Sequence, residues 1–237
     1  MKIERKYMLA LIAFLYVLML FGMYRALTLG PLDPSKVPGF PRYEGDPMEH
    51  GYKIFFFSMQ FGVLTYIAFF VTLVCSVLFL KNRDLKFDTI ASNSAKLALV
   101  FSSIVLINGA IFSNLAWSLP GSSAYWIWEP KQTTTLILWF VLVSYLALRA
   151  TVDDEDTRAR LSAVIGIFGF SAAPLTLLST IIYGAKSMHP AGFGQEAFQL
   201  DPQGRTVFGI MIFGALILYA ILLWLSVKIE NLEKAVA

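Results

Sequence analysis

The chain has little charge, little histidine and almost no cysteine. Only 15% of its residues are charged against 57% hydrophobic, too little polar surface to coat a water-soluble globule of this length. The single cysteine, Cys75, lies deep in an apolar run, which excludes a disulfide or CxxC redox chemistry by this chain itself. No P-loop, GxGxxG or HExxH pattern occurs and no internal repeat is visible, so the common nucleotide and zinc-hydrolase sites are excluded. A net charge of +3 is too small to carry a nucleic-acid signal.

Long apolar runs fill the rest: Tyr7 to Leu27, Ile54 to Leu80, Leu97 to Ala116, Thr133 to Leu148, Leu161 to Tyr183 and Val207 to Val227. Each is near the roughly 20 residues that cross a bilayer as helix. The expected fold is therefore an all-α integral membrane protein, a bundle of six transmembrane helices forming one domain over 1–237. The first run follows Lys2, Arg5 and Lys6, but it is too long for a secretory signal and has no small-residue cleavage site before Gly30, so it reads as an uncleaved first span. With the N-terminus in the cytoplasm, twelve Lys and Arg fall inside and seven outside, the expected bias. Both termini are then cytoplasmic. Gly30 to Lys53, with five prolines, reads as an extended, irregular cap on the outer surface, and the acidic run Asp153 to Asp156 as a solvated inner turn.

Three of the five tryptophans fall in one short outward loop, 117–131, which holds Trp117, Tyr125, Trp126 and Trp128. Such rings suit the membrane-water boundary, and a dense cluster of them also makes a flat platform for a planar aromatic ligand. Glu129-Pro130-Lys131-Gln132-Thr133 reads as a helix start, with an acid at the cap and proline at the first helical position. The unpaired N–H groups there, beside Lys131, suit a ligand carboxylate. An aromatic belt with a well-made cap gives the same pattern.

The two histidines, His50 and His189, both fall in outward loops on this topology. Imidazole is the commonest protein ligand of haem iron, though a loop histidine is also an ordinary surface residue. Pro174, in the middle of span five, predicts a kink that tilts the outer end of that helix toward the platform or serves packing alone.

Ala124-Tyr125-Trp126-Ile127-Trp128-Glu129-Pro130-Lys131-Gln132-Thr133, continuing to Leu136-Ile137-Leu138-Trp139 and Tyr145-Leu146-Ala147-Leu148-Arg149, resembles the tryptophan-rich "WWD" signature of the haem-handling proteins of cytochrome c biogenesis, the CcmC/CcsA group. In size and span number the chain is similar to the system I haem-delivery members. The resemblance implies haem b held at the outer face of the cytoplasmic membrane, over the loop, between two histidines. His189 matches the second of these, and Trp126, Trp128, Glu129, Lys131 and Thr133 match the signature. Glu129 replaces the usual aspartate, Ser122-Ser123 replaces a Trp-Gly pair, and Ser58 stands where the first histidine belongs. His50 or Met59 can substitute there, or one iron face has no protein ligand. Stacking of the porphyrin on Trp126 and Trp128 is implied, with iron held by His189 and the propionates near Lys131.

The resemblance further implies delivery to a haem chaperone, with an ATP-binding-cassette complex and a small membrane subunit as partners besides membrane lipid. The chain itself would then be a haem-binding and transfer protein and not an enzyme. Two alternatives stay open: a subunit of a cytochrome c synthase that attaches haem to apocytochrome, and a transporter component unrelated to haem.

Overall fold

The computed structural model describes residues 5–28, 48–114, 124–184, 187, 189 and 202–236. Seven helices appear among the described residues: α1 (Arg5–Thr28), α2 (Met48–Asn82), α3 (Leu85–Phe112), α4 (Pro130–Thr151), α5 (Glu155–Gly169), α6 (Ala172–Tyr183) and α7 (Pro202–Val236). There is no strand among the described residues. Five units are long and apolar enough to cross a membrane: Phe56–Asn82, Leu85–Phe112, Pro130–Thr151, Glu155–Tyr183 and Pro202–Val236. The fourth of these is α5 and α6 together, and α1 is a further helix of 24 residues. An all-helical multi-pass membrane protein is the result.

Several helices begin earlier than hydropathy placed them. α3 starts at Leu85, not Leu97, because Asp84 caps it by accepting a hydrogen bond from Lys86 N at 2.9 Å. Its first turns carry Asp88, Ser92, Asn93 and Ser94, polar by composition yet buried. α2 likewise starts at Met48, so Met48 to Lys53 is helical and not part of an irregular cap; residues 29–47 lie outside the described residues. Asp154, in the acidic run, is the N-cap of α5 and accepts from Thr157 N at 2.8 Å. Arg83 turns the chain between α2 and α3 with a left-handed φ of 57°.

Small residues let the central helices approach closely. Ala68 of α2 and Ala95 and Ala98 of α3 are fully buried, and Ser94 Oγ donates to Ala68 O at 2.6 Å while meeting Tyr219 Oη of α7 at 2.8 Å. A hydroxyl that crosses between helices in this way satisfies itself where lipid offers nothing. A Cβ on Gly166 of α5 would stand 2.8 Å from Ser76 Oγ of α2, so any larger residue there would force the Ser76 side chain to move. Around these contacts Leu64, Phe69, Phe101, Leu138, Leu142 and Tyr219 form the main apolar core.

Pro174 does what its position in the sequence implies. Proline supplies no N–H to the carbonyl four residues back, and the span breaks at Phe170 and Ser171 between α5 and α6. The freed groups are satisfied locally. Phe170 O accepts from Ala173 N at 2.9 Å, and Phe168 O from Ser171 N at 3.2 Å and from Ser171 Oγ at 2.7 Å.

At its C-terminal end α4 is fastened by charge. Arg149 donates two hydrogen bonds to Asp88 of α3, at 2.6 and 2.8 Å, with side chains only 12% and 5% exposed. Nearby, Glu230 of α7 accepts from Asn93 of α3 at 2.7 Å and pairs with Lys96 and Lys234 at 3.4 Å, while Lys234 also reaches Glu155 of α5 at 3.3 Å. The sequence alone places Arg149 among the inner charges and at the end of the family signature; its partner lies 61 residues away.

Candidate functional site

The N-terminal end of α4 carries the other buried carboxylate. Glu129 is the N-cap, in extended conformation with Pro130 at the first helical position, the arrangement that the local sequence predicts. Its Oε2 accepts from Gln132 N at 2.9 Å, and its main-chain carbonyl accepts from Thr133 N at 2.9 Å. Oε1 accepts from Ser187 Oγ–H and lies 3.1 Å from His189 Nδ1. His189 N in turn donates to Ser187 Oγ at 3.2 Å. One carboxylate, 1% exposed, thus holds the segment after α6 against the start of α4.

The charges at this cluster follow from its surroundings. Burial alone raises a carboxyl pKa, but at Glu129 the hydrogen bond and charge of His189, then Ser187 and the Gln132 N–H, outweigh it and bring the value down to about 2. Burial lowers His189 below the ordinary imidazole value, against the hydrogen bond of Glu129 and helped by the charge of Lys131. The carboxylate is therefore ionised at neutral pH, and burial favours the neutral form of the imidazole it faces.

The aromatic residues stand beside this cluster but do not form one flat platform. Trp126 and Trp128 meet edge to face, with centroids 5.7 Å apart and planes at 77°, the packing that ring quadrupoles favour. A planar ligand can lie parallel to only one of them. Trp128 is the open one, 75% exposed, as is Tyr125 at 62%; Trp126 is half-buried and its Nε1 is buried with no hydrogen-bond partner among the described residues. Gln132 Nε2, one turn into α4, is also buried and has no partner among the described residues, though its Oε1 accepts from Ser113 Oγ at 3.2 Å.

Lys131 and Thr133 lie in the first turn of α4, both half-buried. Trp117 lies outside the described residues. His50 lies in the first turn of α2, with its side chain outside them, and Met59 and Ser58 are half-buried on α2. The sequence alone assigns no role to Ser187 or Gln132 and does not pair Glu129 with His189, although it aims the outer end of span five, and His189 beyond it, at the loop. The neighbouring Ser187-x-His189 and Glu129-x-x-Gln132 spacings carry a local signal, but the contact between them is long-range.

This chemistry fits an iron porphyrin better than a bare metal ion. Among the described residues no three His, Cys, Asp or Glu converge as a metal-ligand group. A porphyrin brings four ligands of its own and asks the protein for one or two axial donors, an apolar face and donors for its carboxylates. His189, the exposed Trp128 ring and the orphaned N–H groups of Trp126 and Gln132 are of those three kinds.

Residues 1–237, the whole chain, match the family described as heme exporter protein C. The chain belongs to that family. Similar proteins include the heme exporter protein C of Rhodobacter capsulatus, 28% identical over 55% of this chain and 52% of the relative, and that of Paracoccus denitrificans, 30% identical over 49% and 46%. A cytochrome c biogenesis protein CcsA from Heterosigma akashiwo is 36% identical over 39% of this chain and 26% of its own length. The matched region spans about half of the two exporter proteins and a quarter of the third. Membership of this heme exporter family and the five apolar spans agree on a multi-pass membrane protein.

Proposed function

We propose that this protein binds haem b at the outer, periplasmic face of the cytoplasmic membrane and presents it to a haem chaperone during cytochrome c maturation. The names of its relatives, heme exporter protein C and cytochrome c biogenesis protein CcsA, support this reading, and the Glu129–Ser187–His189 cluster beside the exposed Trp128 carries it. Haem is cargo here, not a resident cofactor, and its iron supplies the Lewis acidity that an imidazole can grip. In this scheme His189 is the axial ligand, Trp128 covers one porphyrin face, and Trp126, Gln132 and Lys131 receive the propionates. The second axial ligand is His50 or Met59, or that face has no protein ligand. Weak, exposed ligation suits a carrier that must let go, and an ATP-binding-cassette complex with a small membrane subunit fits as the partner that drives release.

Purified protein with co-purifying haem should show an absorption spectrum that His189→Ala abolishes or shifts strongly. His50→Ala and Met59→Ala then separate the second-ligand options. Undiminished haem with an unchanged spectrum in His189→Ala overturns the ligation scheme. Topology is tested in a Cys75→Ser background. Cysteines placed at Ser122 and Ala191 should react with an impermeant thiol reagent from outside and one at Asp154 should not; the reverse pattern places the aromatic loop in the cytoplasm. The similarity to CcsA favours a second reading, a subunit of a cytochrome c synthase, which formation of thioether-linked haem on an apocytochrome would reveal.

A further inference from the structure

We propose that Glu129 is a positioning residue: it fixes His189 as the Nδ1–H tautomer and so reserves Nε2 for the iron of the cargo. The inference rests on the haem reading above, but its first test needs no haem. A neutral imidazole carries one N–H, and which nitrogen bears it is set by the partner that the ring faces. The nitrogen 3.1 Å from Glu129 Oε1 is Nδ1, close enough to pair although not in line for a straight N–H···O bond. A carboxylate can only accept, so the hydrogen belongs on Nδ1 and the free lone pair on Nε2.

Glu129 is well built for this because it has little freedom to turn away. Its Oε2 is held by the Gln132 amide at 2.9 Å and its Oε1 also takes the Ser187 hydroxyl. The Ser187 hydroxyl in turn accepts from the His189 main chain at 3.2 Å, so backbone and ring are both referred to one carboxylate. A carboxylate behind a ligating imidazole raises the basicity of the donor nitrogen, and losing such a partner ordinarily costs about 10- to 100-fold in affinity. Glutamine in its place offers one acceptor oxygen where three donors now converge. If its NH2 faces the ring, the imidazole must turn to the Nε2–H tautomer, which cannot ligate through Nε2.

The chain has only two histidines, so protein labelled with 15N-histidine gives two sets of imidazole signals by NMR, with His189 assigned in His50→Gln. In haem-free protein His189 should show a protonated Nδ1 and a bare Nε2, and Glu129→Gln should shift that balance toward Nε2–H. A dominant Nε2–H form in the wild type overturns the proposal, even where Glu129→Gln fails to fold. When His189→Gly protein is reconstituted with haem in the presence of an added ligand, imidazole should restore the axial ligand at about tenfold lower concentration than 1-methylimidazole, which has no N–H to offer the carboxylate. That preference should vanish in Glu129→Gln/His189→Gly. Equal rescue by the two compounds overturns the positioning role and leaves the haem reading intact. A wild type that binds no haem sinks the haem reading, while the tautomer measurement still decides the role of Glu129.

Discussion

The two ends of α4 are each tied down by a buried carboxylate, and they are tied in different ways. At the Arg149 end a carboxylate meets a guanidinium in a bidentate pair, and a second network around Glu230 ties α3, α5 and α7 together. Both partners are strong ions, and nothing aromatic and open stands beside them among the groups they bond. At the Glu129 end the carboxylate meets a hydroxyl, a helix amide and an imidazole, groups that can exchange partners, next to a tryptophan that is three-quarters exposed. The first arrangement suits a clamp between helices. The second suits a site whose ligand comes and goes, because the imidazole keeps a nitrogen that the cluster does not use.

The largest expected effect comes from breaking the clamp. Arg149→Ala leaves Asp88 buried without its partner, which should cost about 3–5 kcal/mol and appear as a steep loss of thermal stability in detergent. Replacing both partners by Asn and Gln should recover most of the loss, since the uncompensated charge is then gone. If Arg149→Ala is as stable as the wild type, the two ends of α4 do not differ in the way described.

His189→Ala should lose bound haem with a smaller fall in melting temperature than Arg149→Ala, because Glu129 keeps the Ser187 hydroxyl and the Gln132 main-chain N–H as partners. An equal fall in stability would make it part of the scaffold.

Acid should separate the ends as well. The Glu129 pKa is held at about 2, below the roughly 4.3 of an unfolded glutamate, so its contribution to stability is fully present above that higher value. That contribution is lost as pH falls through the window down to about 2. Protection of the Gln132 amide against hydrogen exchange, taken relative to the intrinsic rate at each pH, should fall through that window, and unchanged protection would contradict the tether.

The smallest expected effect is that of Trp128→Ala. An exposed ring contributes within about 0.5 kcal/mol to folding, whereas losing one face of aromatic contact should weaken haem retention by about 1 kcal/mol, roughly fivefold. Retention equal to that of the wild type would make Trp128 a lipid-belt residue.

How much of this was legible in the sequence depended on how local the cause is. The start of α4 was, since Glu129 and Pro130 act on the next three residues. The break before Pro174 was, for the same reason. The first turns of α3 were not, because hydropathy counts Asn93 and Asp88 as solvated when their partners, Glu230 and Arg149, lie far along the chain. The Glu129 cluster was half legible: the resemblance pointed to Glu129 and His189 separately, and folding supplied the contact. The flat aromatic platform expected of Trp126 and Trp128 gave way to an edge-to-face pair, a preference that composition does not reveal.

The interrupted span works as a lever arm. α6 has 12 residues, about 18 Å of helix, running from the break at Ser171 to Gly184, which lies at φ 46° just ahead of Ser187 and His189. A swing of only about 10° at the break would carry the far end of that arm roughly 3 Å, as far as the 3.1 Å that separates His189 Nδ1 from Glu129. Packing in the middle of the bundle, where Ala172 and Ala173 are buried, therefore sets the grip at its edge, and a bulkier side chain at either alanine should be felt first as a weaker hold on the imidazole.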